Sequence, residues 1–277
     1  MSAVEEALAA ARQRIPAAEA RLLLGQVLSR SAAWLEAHRE EALAPGQRAL
    51  FNALVERRTA GEPVAYLLGT REFYGRDFAV SPAVLIPRPE TELLVEVVKA
   101  KVGAGGTAQR AARILDLGVG SGCIAVTLAL ELPLTRLIAS DVSPDALAVA
   151  RGNAARLGAP VEFVESNWFA GLREERFDII VANPPYVASG DPHLAQGDLR
   201  FEPIGALTDH ADGLAALRHI VATAPHWLKP GGSLFFEHGF DQAAAVFDLL
   251  VAVGFADIEQ HRDLAGVVRI SGGRIPD

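Results

Sequence analysis

Apolar residues recur at helical spacing through the first sixty positions, then give way to a hairpin pattern and finally to strands alternating with helices. From Pro16 onward, Ala20, Leu23, Leu24, Val27 and Leu28 share one face, and Pro16 suits a first helical position. A further helix is predicted over Ala32–Ala42. Pro45-Gly46 separates it from another over Gln47–Arg58, with Leu50, Leu54 and Val55 directed inward. Between residues 70 and 86 the apolar residues Phe73, Tyr74, Phe78, Val80, Val84, Leu85 and Ile86 cluster around Gly75, which reads as a hairpin.

From Thr91 the period changes again. A helix over Thr91–Lys101 precedes a glycine-rich break at Gly103–Gly106. Strands are predicted over Arg113–Leu117, Arg136–Ser140, Val161–Val164, Phe177–Ala182 and Ser233–Glu237, with late ones over Ala256–Gln260 and Val267–Ile270. Ser143 caps the helix after the second of these, with Pro144 at its first position. Apolar strands alternating with helices predict an α/β fold with a mostly parallel, doubly wound, Rossmann-like sheet. The chain divides into a helical N-terminal domain over 1–69, a hairpin linker over 70–88 and a large α/β domain over 89–277.

Composition narrows the function classes. Half of the 277 residues are hydrophobic and 22% are charged, which favours a well-buried core over disorder. No apolar run approaches the roughly 18 residues that span a bilayer. Glu5 and Glu6 precede any apolar stretch, which is wrong for a secretory signal. The single cysteine, Cys123, cannot form an intramolecular disulfide, so a cytoplasmic protein with no membrane partner is expected. Residues 1–80 balance ten arginines against ten carboxylates, so the net charge of −8 belongs to the remainder. Only three lysines are present and no basic run exceeds Arg57-Arg58, which argues against binding that rests on nucleic-acid phosphates. The seven histidines show no metal-ligand spacing, so no metal site is expected.

Asp116-Leu117-Gly118-Val119-Gly120-Ser121-Gly122 sits where an apolar strand ends and a helix begins. Glycines there let a ligand approach the backbone and free the N–H groups of the turn. Dinucleotide folds prefer G-x-G-x-x-G, and here Cys123 stands where that pattern wants its last glycine. Asp141 ends the next strand, where a carboxylate accepts from both ribose hydroxyls or caps the following helix. Asp116 either meets the cationic amino-acid end of a cofactor, directly or through water, or braces the loop amides. At the same sheet edge Asn167 is placed to read an adenine amino group, and Trp168 to cover its ring or simply to fill core.

Phe177–Ala182 runs straight into Asn183-Pro184-Pro185-Tyr186. Ligands of open α/β sheets sit beyond the carboxyl ends of strands, so this tetrapeptide is delivered to the cofactor. Two prolines fix two φ angles and donate no N–H, leaving a stiff, acceptor-rich wall. The Asn183 carbonyl and the Pro184 carbonyl together hold both hydrogens of a planar NH₂ group. That suits methyl transfer from S-adenosylmethionine to an amide or exocyclic amine, whose delocalised lone pair is a poor nucleophile. Collinear positioning lowers such a barrier by on the order of 7–11 kcal/mol. Tyr186 is expected to line the pocket or stack on the acceptor.

These motifs resemble the protein-glutamine methyltransferases of the PrmC (HemK) type, whose fold is that of the class I methyltransferases. The likeness also includes Gly61-Glu62-Pro63-Val64-Ala65-Tyr66, Phe73-Tyr74-Gly75 and Leu85-Ile86-Pro87-Arg88-Pro89-Glu90-Thr91-Glu92-Leu93. It continues through Gly197-Asp198-Leu199-Arg200-Phe201-Glu202-Pro203 and Glu237-His238-Gly239. The resemblance implies a monomer whose partners are peptide-chain release factors and whose acceptor is the glutamine of their Gly-Gly-Gln loop. It implies S-adenosylmethionine contacts from Gly118, Val119, Gly120, Ser121, Gly122, Asp141, Trp168 and Asn183, to which the reading of the residues adds Asp116 and Asn167 as expected cofactor contacts. It gives the grip on the glutamine to Asn183, Pro184, Pro185 and Tyr186, with the helical domain helping to bind the factor. Arg88 and Glu90 fall near the substrate mouth, or else form a solvated ion pair. His238 is read as structural and Cys123 as a small packed residue. Two departures stand out, Val119 for the family's usual Thr and Asn167 for its usual Asp. The alternatives are a glutamine methyltransferase acting on a large-subunit ribosomal protein, an adenine-N6 methyltransferase of nucleic acid, and a cofactor-binding protein without catalysis.

Overall fold

The computed structural model describes residues 3–104 and 111–277. The chain forms two compact units. One comprises residues 1–70 together with 196–201, and the other comprises 71–195 together with 202–277.

The first unit contains α1 (Val4–Ala11), α2 (Ala17–Leu28), α3 (Ala32–Ala37), α4 (Pro45–Thr59) and α5 (Val64–Leu68). Its core is aliphatic around one ring, with Val4, Leu8, Leu23, Leu24, Leu35, Phe51 and Leu54 all buried. Three sequence expectations change here, the first being that Pro45 and Gly46 open α4 instead of preceding it. The helix predicted over Ala32–Ala42 stops at Ala37, where the His38 ring stacks on Trp34 and takes the Trp34 carbonyl with its Nδ1–H at 2.9 Å. In α4 the inward stripe is Phe51, Leu54 and Val55, while Leu50 is 53% exposed. Residues 196–201 join this unit through side chains. Arg58 binds Glu19 at 2.7 Å and Asp198 at 2.9 Å, and Arg200 donates to the Ala60 carbonyl at 2.8 Å. At Gly61, whose φ is +99°, an added Cβ would fall 1.7 Å from the Arg200 guanidinium.

The second unit opens with the hairpin β1 (Thr70–Phe73) and β2 (Arg76–Ala79). It then carries α6 (Glu92–Ala104), β3 (Arg113–Leu117), α7 (Cys123–Glu131), β4 (Arg136–Asp141), α8 (Pro144–Leu157), β5 (Val161–Glu165) and β6 (Phe177–Ala182). After α9 (Ile204–Leu207) and α10 (Ala215–Trp227) come β7 (Leu228–Glu237), α11 (Ala243–Val253), β8 (Ala256–Arg262) and β9 (Val268–Arg274). Of the expected glycine break, Gly103 lies within the last turn of α6, which runs on to Ala104, and Gly105 and Gly106 lie outside the described residues.

Seven strands pair in the order β5-β4-β3-β6-β7-β9-β8. β5 through β7 run parallel, and β9 is antiparallel to both its neighbours. Alternate residues of the central strands feed the two faces. Ile114, Leu137, Ile179 and Phe235 join one core, and Leu115, Ile138, Ile180 and Leu234 join the other. Burial on both faces is why these strands read as largely apolar runs. Strand order reverses between β3 and β6, which opens a crevice beyond their carboxyl ends.

The hairpin, expected as a separate linker, is part of this unit's core. Phe73 and Phe78 are fully buried and meet edge to face at 6.0 Å. Asn153 of α8 makes a strand-like exchange with Ala79, accepting its N–H at 2.7 Å and donating to its carbonyl at 2.9 Å. The same amide also donates to the Ser121 carbonyl at 2.9 Å, tying hairpin, helix and glycine loop together. Among the described residues, no helix is long and apolar enough to cross a membrane.

Candidate active site

A cleft of about 300 Å³ lies at the switch point, walled by the glycine loop, the ends of β4, β5 and β6, the segment after the hairpin, and α9. Of the predicted site residues, Arg88, Gly118, Val119, Gly120, Asp141, Asn167, Trp168, Asn183, Pro184 and Pro185 line it.

The glycine loop behaves differently from the sequence expectation. Gly118, Gly120 and Gly122 take φ of 75°, 53° and 85°, as a turn of this kind requires. Its N–H groups, however, are largely consumed within the protein. Those of Gly118 and Val119 donate to the Ser140 carbonyl at 2.8 and 2.9 Å, and that of Gly122 donates to Val119 at 2.8 Å. The Gly120 N–H goes to Asp141 Oδ2 at 2.9 Å. The loop therefore offers a ligand close backbone approach rather than a nest of donors. Gly122 also lets α7 close on α8, since a Cβ there would sit 3.2 Å from that of Ala150. Val119 is buried among Ala139, Leu147 and Ala150, which accounts for an apolar side chain at this position.

Asp141 accepts from the loop on one oxygen and from the Ser143 N–H on the other, at 2.9 Å each. Each oxygen keeps a second lone pair for a ligand hydroxyl. Asp116 stands behind the loop, wholly buried and off the cleft wall. Neither of its oxygens accepts a well-formed hydrogen bond, so it does not brace the loop amides. Burial raises its pKa to about 7; the Ala125 amide offsets this only in part, and the charge of Asp141 adds to it. Ser121 is buried and does not line the cleft.

Trp168 holds a left-handed φ of 51°, rare for a bulky residue. Ser166 fixes that turn by donating to the Trp168 carbonyl at 2.7 Å and accepting from Gly171 N–H at 2.8 Å. The indole comes within 3.7 Å of where a Gly118 Cβ would stand, so the two sides of the cleft close on each other at a glycine.

The tetrapeptide is held on three sides. Asn183 Nδ2 donates to Thr91 Oγ1 at 3.2 Å, and Thr91 donates to Glu237 Oε2 at 2.6 Å. The Tyr186 hydroxyl donates to Glu237 Oε1 at 3.0 Å. Gln242 donates to the Tyr186 carbonyl at 3.0 Å. Gly213 must be glycine beside it, because a Cβ there would meet that carbonyl oxygen at 2.5 Å. Tyr186 thus turns toward Glu237 and is not part of the cleft wall, contrary to expectation. Burial and the Glu237 charge push its pKa well up, which keeps the phenol a donor. Glu237 is 2% exposed; burial raises its pKa, while the hydroxyls of Thr91 and Tyr186 pull it back.

Arg88 lines the cleft but does not pair with Glu90. Its guanidinium binds the buried Glu202 at 2.6 Å, and Glu202 also accepts the Ile86 N–H at 3.0 Å. Glu90 is exposed and off the cleft wall. His238 is fully buried, with Nδ1 donating to the Gly239 carbonyl at 2.9 Å and Nε2 facing Ser271 Oγ at 2.8 Å. Cys123 reaches the cleft, and burial pushes its thiol up to about 12, so it is not a nucleophile. Reasoning from sequence assigned no role to Thr91, Val142, Glu202 or Glu237. Thr91, Glu202 and Glu237 lay inside quoted motifs, which was the available signal. Val142, 65% exposed and next to Asp141, carried none.

Comparison with known proteins agrees with this geometry. Residues 1–69 match the PrmC N-terminal domain and residues 89–197 the methyltransferase small domain. The chain is 53% identical to the release factor glutamine methyltransferase of Bordetella pertussis over 94% of its own length and 95% of that protein. It is 53% identical to the enzyme of the same name from Burkholderia pseudomallei, over 95% and 93% respectively. Among solved structures, a methyltransferase from Pyrococcus furiosus aligns with a TM-score of 0.55 at 18% identity, over 82% of this chain and 98% of that one. That likeness concerns the fold alone. With more than half of its residues shared across nearly its whole length, this chain belongs to the release factor glutamine methyltransferase family.

Proposed function

We propose that this protein transfers a methyl group from S-adenosylmethionine to the side-chain amide nitrogen of the glutamine in the Gly-Gly-Gln motif of peptide-chain release factors. The observation that carries the reading is the orientation of Asn183. Its NH₂ is spent on Thr91, which leaves Oδ1 as the acceptor at the cleft.

The cleft residues fit the cofactor. Its volume of about 300 Å³ is at the low end for a small-molecule site. Asp141 retains lone pairs for ribose hydroxyls, the Trp168 indole offers a face to adenine, and Asn167 is exposed at the rim for its amino group. Asp116, behind the loop and without a well-formed hydrogen bond, is stabilised in its charged form when the cationic amino-acid end binds at the loop, which draws its raised pKa back down. When bound, the cofactor supplies an electrophilic methyl group on a sulfonium.

The chain's own residues orient the acceptor. Asn183 Oδ1 and the Pro184 carbonyl each take one N–H of the glutamine amide, aiming its nitrogen and stabilising the positive charge that builds there. The nitrogen sheds one proton to solvent as it gains the methyl, so no side-chain base is needed. Arg88 keeps guanidinium N–H groups beyond the one given to Glu202, and these suit the backbone carbonyls of an extended loop.

Purified protein, labelled S-adenosylmethionine and a release factor test this directly. The expected result is one methyl on the Gly-Gly-Gln glutamine, located by mass spectrometry. Label appearing instead on a large-subunit ribosomal protein or an adenine oligonucleotide, with the release factor untouched, overturns the substrate assignment.

A further inference from the structure

We propose that Glu237 and Thr91 are positioning residues that decide which way the Asn183 amide faces, an inference that rests on the role given to Asn183 above. The two ends of an asparagine amide are nearly equal in shape, so hydrogen bonds alone select between them. Left to itself, the amide would present either its oxygen or its NH₂ to an incoming NH₂ group. Only the first arrangement is productive.

The selection runs back to one buried carboxylate. Glu237 ends β7 and is held beside the end of β6 by the register that pairs Ala182 with Phe236. Glu237 Oε2 accepts from the Thr91 hydroxyl at 2.6 Å, which uses that side chain's single proton. Oγ1 of Thr91 is then an acceptor, and what lies 3.2 Å away on Asn183 must be the NH₂ end. Among the described residues no donor reaches Asn183 Oδ1, which remains for the cleft. Tyr186 occupies the other carboxylate oxygen at 3.0 Å, so Glu237 cannot turn away from Thr91. Thr91 itself is 2% exposed, which shields the relay from competing water.

The test compares Thr91→Val, Thr91→Ser and Glu237→Gln in the full-length protein. Val matches Thr in shape but removes the relay, and Ser keeps the hydroxyl. Thr91→Val and Glu237→Gln are expected to lower kcat on the order of 10- to 100-fold, with the KM for S-adenosylmethionine within about threefold of wild type. Thr91→Ser is expected to retain most of kcat. Equal kcat in the Val and Ser variants, or a loss confined to KM or to melting temperature, overturns the proposal.

A second readout needs no substrate and so separates this inference from the release-factor reading. In ¹⁵N-labelled protein, the Asn183 side-chain NH₂ resonances are expected to move in Thr91→Val and stay in place in Thr91→Ser. If they stay in place in both variants, the relay does not exist, whatever the enzyme methylates.

Discussion

Two carboxylates lie buried at the same edge of the sheet, and their surroundings are opposite. Asp116, on β3, has no hydrogen-bond partner for either oxygen. Glu237, at the end of β7, has a hydroxyl on each. A buried acid without a partner is costly, and its pKa rises to about 7 as it resists ionising. One with two donors serves as a fixed acceptor for its neighbours. Behind the glycine loop, off the cleft wall, an acid is thus left without compensation. The tetrapeptide end is internally satisfied and suits holding geometry.

The largest expected effect is at the satisfied end. Asn183→Ala should reduce methyl transfer on the order of 10³-fold while cofactor affinity, measured by calorimetry, falls less than about tenfold. A variant that kept near wild-type turnover would remove the two-acceptor mechanism.

Asp116→Asn should act the other way round. Cofactor affinity is expected to fall on the order of 10- to 100-fold, with the ligand-free fold no less stable than wild type. The pH dependence of stability gives an independent check. The folded-state pKa of about 7 lies above the ordinary 3.8. Between those values the folded chain holds a proton that the unfolded chain has lost. Stability should therefore decline as pH rises from about 4 to about 7, and Asp116→Asn should flatten that decline in denaturant titrations. Tighter cofactor binding by the variant would mean that Asp116 does not face the cationic end.

Tyr186→Phe should be the mildest. It removes one of two donors to Glu237 and leaves the ring in place, so a loss of about 1 kcal/mol in stability and a fall in kcat of only a few-fold are expected. A fall as large as that of Asn183→Ala would mean that Tyr186 touches the substrate after all.

Two central strands were legible to the residue, while β7 begins at Leu228 rather than Ser233 and β4 ends at Asp141 rather than Ser140. β3 and β6 coincide with the largely apolar runs Arg113–Leu117 and Phe177–Ala182, because strands covered on both faces need mostly hydrophobic side chains and end where the burial ends. Ser143 and Pro144 marked the start of α8 by their own local chemistry. The end of α3 was not legible, since it depends on a ring stacking back on Trp34. Leu50 was placed inward because helical phase near a start is set by tertiary contact, and Phe51 won that contact. At the site, the tetrapeptide and Asp141 were visible from spacing. The direction of Tyr186 was not, because its partner lies 51 residues away. Glu202 with Arg88, and Glu237 with Thr91, join positions 114 and 146 apart, distances at which no local pattern survives.

The membership of residues 196–201 in the helical unit has a practical consequence for anyone wishing to divide the protein. A truncation that starts the chain at Arg71 would remove Arg58 and the Ala60 carbonyl, yet leave Asp198 and Arg200 behind without those partners. The unit that looks modular along the sequence is completed by a segment encoded more than a hundred residues later. It cannot be cloned away, or transplanted, with a single cut.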